Sequence, residues 1–135
     1  MNGYNLGDAL LSQTKALPNG AANTVTNGID TENGPRGDFT ADCELVTTAP
    51  ALTTGQLPDT QSITYTVEHD TDPAFGTVAT LATLFTQTGA GGVGAAGVVN
   101  RFRLPTNVKR YVRVKATKAG AADASAQSFS AALKF

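Results

Sequence analysis

The sequence holds one cysteine, one histidine, one methionine and no tryptophan. Cys43 can form no disulfide within the chain and cannot supply a four-cysteine zinc site. A cysteine nucleophile would also need a nearby imidazole, and His69 is the only one. Cys43 therefore reads as a small buried apolar residue. No Gly-X-Ser-X-Gly nucleophile motif is present, and acid–base chemistry would rest on His69 alone. The residues point to a protein that is not an enzyme and takes no cofactor. Three tyrosines, Tyr4, Tyr65 and Tyr111, offer little with which to stack sugar rings or bases. No apolar run approaches the roughly 18 residues of a membrane span. The opening "MNGYNLGDALLSQTKALPNG" lacks the basic start and apolar centre of a secretory signal. Synthesis in a reducing compartment as a soluble product is the expectation.

What the chain does have is threonine, 20 residues of it, and 14 glycines placed mostly between β-branched stretches. That is the punctuation of an all-β domain, and 135 residues suit a single domain. Four Asn-Gly steps, at Asn2, Asn19, Asn27 and Asn33, mark turns in the first 34 residues. Residues 6–17, with Leu6, Leu10 and Leu17, fit a short helix or an ordered arm that Pro18 must end. "NTVTNGID" reads as one short strand. "DFTADCELV" alternates Phe39, Ala41, Cys43 and Leu45 against polar residues, and "TTAPALTTGQLPDT" reads as a connection. "SITYTVEH" puts Ile63, Tyr65, Val67 and His69 on one face. "GTVATLATLF" sets Val78 and Leu84 against Leu81 and Phe85. "VVNRFRL" sets Val98, Asn100, Phe102 and Leu104 against Val99, Arg101 and Arg103. "RYVRVKAT" turns Val112, Val114 and Ala116 inward, and "QSFSAALKF" groups Phe129, Ala131 and Leu133. The pattern predicts a jelly-roll-like antiparallel β-sandwich of about seven or eight strands. Residues 1–37 form an N-terminal arm with loops in this reading, and 38–135 form the sandwich.

Three stretches invite a chemical reading. "EHDTDP", residues 68–73, gathers Glu68, His69, Asp70 and Asp72, but Pro73 breaks any calcium-loop spacing, so a turn at a strand end is expected and no metal. "GAGGVGAAG", residues 89–97, lacks the Lys-Ser/Thr ending of a phosphate loop and reads as a mobile loop or one packed closely on a neighbouring backbone. The third is "RFRLPTNVKRYVRVKATK", which holds seven of the ten bases, while ten of the eleven acids lie between Asp8 and Asp72. Such polarity suggests internal pairing or oriented contacts with a partner. Arg101 and Arg103, and then Tyr111, Arg113 and Lys115, fall on the outer faces of two half-buried strands, with Lys109 and Arg110 between them. A solvated face, contact with an acidic protein surface and nucleic acid are the three readings. The single outward aromatic and the formal net charge of -1 put nucleic acid last.

The turn "DPAF", with Asp72, Ala74 and Phe75, followed by an apolar strand and then by "LPTNVKRYVRV" and "SFSAAL", resembles the Bbp16-like capsid cement (decoration) proteins of tailed phages. The likeness runs over roughly residues 38–135 and is most specific at Leu104, Pro105, Val108, Lys109, Arg110, Tyr111, Arg113 and Val114. It implies a jelly roll that trimerises on the outside of an icosahedral shell and binds the major capsid protein there, stabilising contacts between subunits in the virion, with no membrane partner. Arg101, Arg103, Lys109, Arg110, Tyr111, Arg113 and Lys115 are then the expected protein–protein contacts, and residues 1–37 or the loop 89–97 the segment that orders on the shell. A carbohydrate- or polymer-binding sandwich module, on a virion surface or in a secreted protein, is the alternative.

Overall fold

The computed structural model describes residues 11–31 and 43–134. They form strands β1 (Ser12–Ala16), β2 (Asn23–Val25), β3 (Ile29–Asp30), β4 (Glu44–Ala49), β5 (Ser62–Asp70), β6 (Ala79–Thr88), β7 (Val98–Arg103), β8 (Tyr111–Ala119) and β9 (Ser128–Lys134). One sheet has the order β1-β9-β4-β7. The other has the order β2-β8-β5-β6, with β3 also on β8. The antiparallel pairings are nested: β5 with β6, β4 with β7, β2 and β3 with β8, β1 with β9. The chain is thus one long hairpin whose rungs fall alternately in the two sheets, closed sideways by β5–β8 and β4–β9. This is the jelly-roll architecture the sequence predicts. The loop after β5, which contains "DPAF", is the tip of that hairpin.

Alternation produces the core because each half-buried strand sends every second side chain inward. Ile63, Tyr65 and Val67 of β5, and Val112, Val114 and Ala116 of β8, meet Leu45, Phe129 and Leu133 from the other sheet. Each fully buried aliphatic or aromatic side chain contributes roughly 1.5–3 kcal/mol. Tyr65 stacks on Phe85 at 4.6 Å and meets Phe129 edge-on at 5.6 Å. Its phenol donates to Gln87 Oε1 at 2.8 Å, and Gln87 Nε2 donates to the carbonyls of Pro50 and Ala96. Burial holds the Tyr65 hydroxyl protonated, well above its ordinary range.

Several local expectations change. β1 occupies residues 12–16, where leucine spacing suggested a helix or arm, because β9 supplies its backbone partners. Residues 6–10 lie outside the described residues, as do Phe39 and Ala41. β1, β2 and β3 fall within residues 1–37 yet are strands of the two sheets. The strand containing Leu45 runs on through Thr47 and Thr48 to Ala49, into the stretch read as a connection. In β6, register shifts opposite Tyr65/Thr66 and Val67/Glu68 interrupt the alternation. Leu81, Leu84 and Phe85 all pack on the core in consequence, while Val78 is exposed. Loop 89–97 is docked rather than loose. Leu52 and Ala95 exchange backbone hydrogen bonds at 2.9 and 3.0 Å, and Ala90 N–H donates to Gly94 O at 3.2 Å.

Candidate functional site

β7 and β8 belong to different sheets whose inner faces share one core. The basic stretch is therefore divided. Arg101 and Arg103 stand on the outer face of the four-stranded sheet. Tyr111, Arg113 and Lys115 stand on the outer face of the five-stranded sheet, with Lys109 and Arg110 in the connection before them. The seven residues do not make one surface.

On the five-stranded sheet the bases are spent on acids from the first half of the chain. Arg113 Nε donates to Glu68 Oε1 at 2.8 Å, and Lys115 Nζ lies 2.9 Å from Glu68 Oε2. Glu68 and Arg113 are direct cross-strand partners, so the sheet register itself sets the pair. Burial alone would raise the Glu68 carboxyl. Hydrogen bonds from Lys115 and Arg113 outweigh it and hold the group below its ordinary value. Arg110 grips Asp30 through Nε and NH2, both at 2.8 Å, and its guanidinium lies 5.3 Å from the centre of the Tyr111 ring. Internal pairing thus takes up Arg110, Arg113 and Lys115. On the four-stranded sheet, Arg101 reaches Glu44 only at 3.4 Å. Lys118 turns inward, continuing the Val112–Val114–Ala116 row. It is buried, donates to Gln61 Oε1 at 2.7 Å and to Gly120 O at 3.2 Å, and burial lowers its pKa.

The hairpin tip is built from "EHDTDPAF". The Asp70 carboxylate accepts from the backbone N–H groups of Thr71, Asp72 and Thr77 at 2.7, 3.2 and 2.7 Å. Burial raises its pKa, but those three bonds win and lower it. Asp72 accepts from Ala74 N–H at 2.9 Å, and its carbonyl accepts from Phe75 N–H at 2.9 Å. Phe75 takes a φ of 55°, unusual for a bulky residue, which folds its ring back over the sheet. The ring lies 4.3 Å from the Arg113 guanidinium and covers Gly28, where a Cβ would come within 2.6 Å of Phe75 Cε2. Arg113 is held between Glu68 and Phe75. Replacing Phe75 with Leu keeps apolar bulk but removes the ring, and should cost about 1 kcal/mol. A double-mutant cycle with Arg113→Met by urea denaturation would read the coupling, and strict additivity would refute the contact.

His69 points inward on β5, nearly buried, and its Nδ1 accepts from the Lys109 N–H at 3.1 Å. Burial, then the Lys109 charge, lower its pKa against the opposing pull of Asp70. The neutral ring is a bracket between β5 and the "LPTNVKR" connection. Among the described residues no group of three or more His, Cys, Asp or Glu could hold a metal ion. Cys43 is buried and its thiol is pushed up to about 11 by burial and by Glu44, which disfavours the nucleophilic thiolate. Tyr65 is core, so of the three tyrosines it offers no face to a sugar. Nothing local in the sequence signals the Phe75–Arg113 clamp. The separate sheet membership of β7 and β8 could have been inferred only from the nested pairing. No protein-family model matches this chain, and no match to it was found among curated proteins.

Proposed function

We propose that this chain is a non-enzymatic cement, or decoration, protein of a bacteriophage capsid, a homotrimer on the outer surface of the icosahedral shell that stabilises contacts between major capsid subunits. The observation that carries this reading is the meeting of the two segments on which the resemblance rests. "DPAF" supplies Phe75, "LPTNVKRYVRV" supplies Arg113, and ring and guanidinium stack at 4.3 Å. Leu104, Val108, Val112 and Val114 of the second segment are buried, and its Lys109 N–H is bonded to His69 beside the first. Two stretches that share a likeness to one family thus also share one structural task, closing the hairpin tip onto the roll. A likeness scattered over unrelated surface would carry no such joint constraint.

The disposition of charge supports binding rather than turnover: Glu68, Asp70, Asp30 and His69 are engaged in holding strands and turns. A trimer gains avidity because its second and third contacts with a shell are intramolecular. Light scattering should give a trimer, and the purified protein should cosediment with expanded shells of its phage. A monomer that leaves shells bare sinks the proposal. If that monomer retains glycans, the carbohydrate-binding module takes its place.

A further inference from the structure

Most backbone N–H groups in a fold are bonded to backbone carbonyls, which do not titrate near neutral pH. Lys109 departs from this. Its N–H donates to His69 Nδ1 at 3.1 Å. The neutral ring therefore carries its proton on Nε2 and keeps Nδ1 as the acceptor. Lys109 belongs to the connection 104–110, which crosses from β7 in one sheet to β8 in the other. Both ends of that connection are fixed by groups that mild acid leaves alone. Leu104 N–H donates to Cys43 O at 3.1 Å. The Arg110 carbonyl accepts from Thr31 N–H at 2.9 Å and from Thr31 Oγ1 at 2.7 Å. Between them, Val108 N–H closes a turn on Pro105 O at 3.1 Å. The strap 105–109 is thus tethered at each end and bonded to β5 through an ionisable acceptor.

The surroundings of the ring decide what a proton does there. His69 is only 7% exposed. Its register partners are Val112 of β8 and Ala79 of β6, and β6 holds no ionisable side chain. On β8, Tyr111 and Arg113 flank Val112 on the outer face, where Arg113 is engaged by Glu68. From β3, Asp30 is gripped by Arg110. The charges that act on the ring are Lys109 and Asp70. Burial, then the Lys109 charge, lower its pKa against the pull of Asp70. The ring therefore gains its proton on the acid side of the ordinary value of 6.5. Asp70 stays ionised and committed to the N–H groups of Thr71, Asp72 and Thr77, because its own pKa is lowered below the carboxylate range. Once both ring nitrogens carry hydrogens, two donors face each other in a nearly closed site, and the Lys109 ammonium repels the new charge.

We propose that His69 is a proton-operated latch: protonation at Nδ1 releases the Lys109 amide and lets residues 105–109 lift from β5 while the roll stays folded. Leu104 and Arg110 are the fixed ends about which the strap moves. The strap carries Lys109, so the surface offered to a partner differs between neutral and mildly acid solution, whichever partner that is.

The test uses the full chain, 15N-labelled and titrated by NMR from about pH 7.5 to about pH 4.5, a range that spans imidazole titration. The Lys109 amide resonance should move with the same midpoint as the His69 ring. Its hydrogen-exchange protection, corrected for intrinsic exchange at each pH, should fall about tenfold across that midpoint. The Val114 amide, bonded to Thr26 Oγ1 at 3.1 Å, should keep its protection. His69→Gln puts a carboxamide that does not titrate in place of the ring, and should show no pH-dependent change at Lys109. A Lys109 amide that stays protected through the ring titration overturns the proposal. So does an equal loss in His69→Gln, or loss of protection at Lys109 and Val114 together. If His69→Gln fails to fold, the ring and amide midpoints of the unaltered chain decide, and midpoints that differ sink the latch.

Discussion

Gly94→Ala should be among the most damaging single-methyl additions in this protein, lowering stability by about 3–5 kcal/mol. Two independent effects add. Gly94 sits at φ +78°, where an L-residue with a Cβ costs roughly 1–2 kcal/mol. The added methyl would also overlap Leu52 O and come within 2.6 Å of the Thr53 carbonyl carbon. Neither backbone can yield, because Leu52 and Ala95 are locked by reciprocal hydrogen bonds and Leu57 N–H is tied to Thr53 O. Gly91 supplies the control: φ is +66°, but a Cβ there meets nothing within 4 Å. Gly91→Ala should therefore lose only the conformational part, about 1–2 kcal/mol. Urea midpoints for the two variants measure the difference directly. Equal costs would mean that the docked loop is not rigidly held.

Glu68→Gln should cost about 3 kcal/mol near neutral pH. Its side chain is 5% exposed, and it neutralises Arg113 and Lys115, themselves 20% and 29% exposed. The amide leaves two neighbouring cations without their counter-charge in a partly desolvated site. The pH dependence follows from the direction of each shift. Glu68 and Asp70 are depressed in the fold, so their stabilisation is complete above the ordinary carboxylate range near pH 4 and disappears as pH falls through their lower folded values. His69 is also depressed, so the unfolded chain takes up a proton first as pH falls below about 6.5. Stability should decline in two stages, beginning near pH 6.5 and steepening below pH 4. The gap between the parent and Glu68→Gln should close in the second stage. A gap unchanged down to pH 3, in urea titrations at each pH, would show that Glu68 does not act through its charge.

Much of this architecture is legible in single strands, and little of it in their company. Period two placed Ile63, Tyr65 and Val67, then Val112, Val114 and Ala116, on the core side because a one-residue slip would have buried Thr and Arg instead. β1 was not legible, since "SQTKA" has little strand preference of its own and is held by β9 more than a hundred residues away. β6 misled because two extra residues spoil the alternation. At the charged stretch, the outward direction of Arg101, Arg103, Arg113 and Lys115 was readable. Their partners were not, because Glu68 lies 45 positions from Arg113 and Asp30 lies 80 from Arg110. Lys118 shows the limit of a polarity rule: the alternation that turned Val112, Val114 and Ala116 inward applied to it as well, and the charge concealed it.

The nested hairpin has a consequence for how the chain is made. Its innermost rung, β5 on β6, joins neighbours in sequence, while its outermost rung sets Ser12 against Ala132. As the chain leaves the ribosome from its N-terminus, β1 emerges more than a hundred residues before its partner β9. Until Ser128 has emerged, β1 lacks the one strand partner it has among the described residues, and β4 has only β7 of its two described neighbours. The four-stranded sheet is thus completed only once β9 has emerged, and pairing across such sequence distances is intrinsically slow.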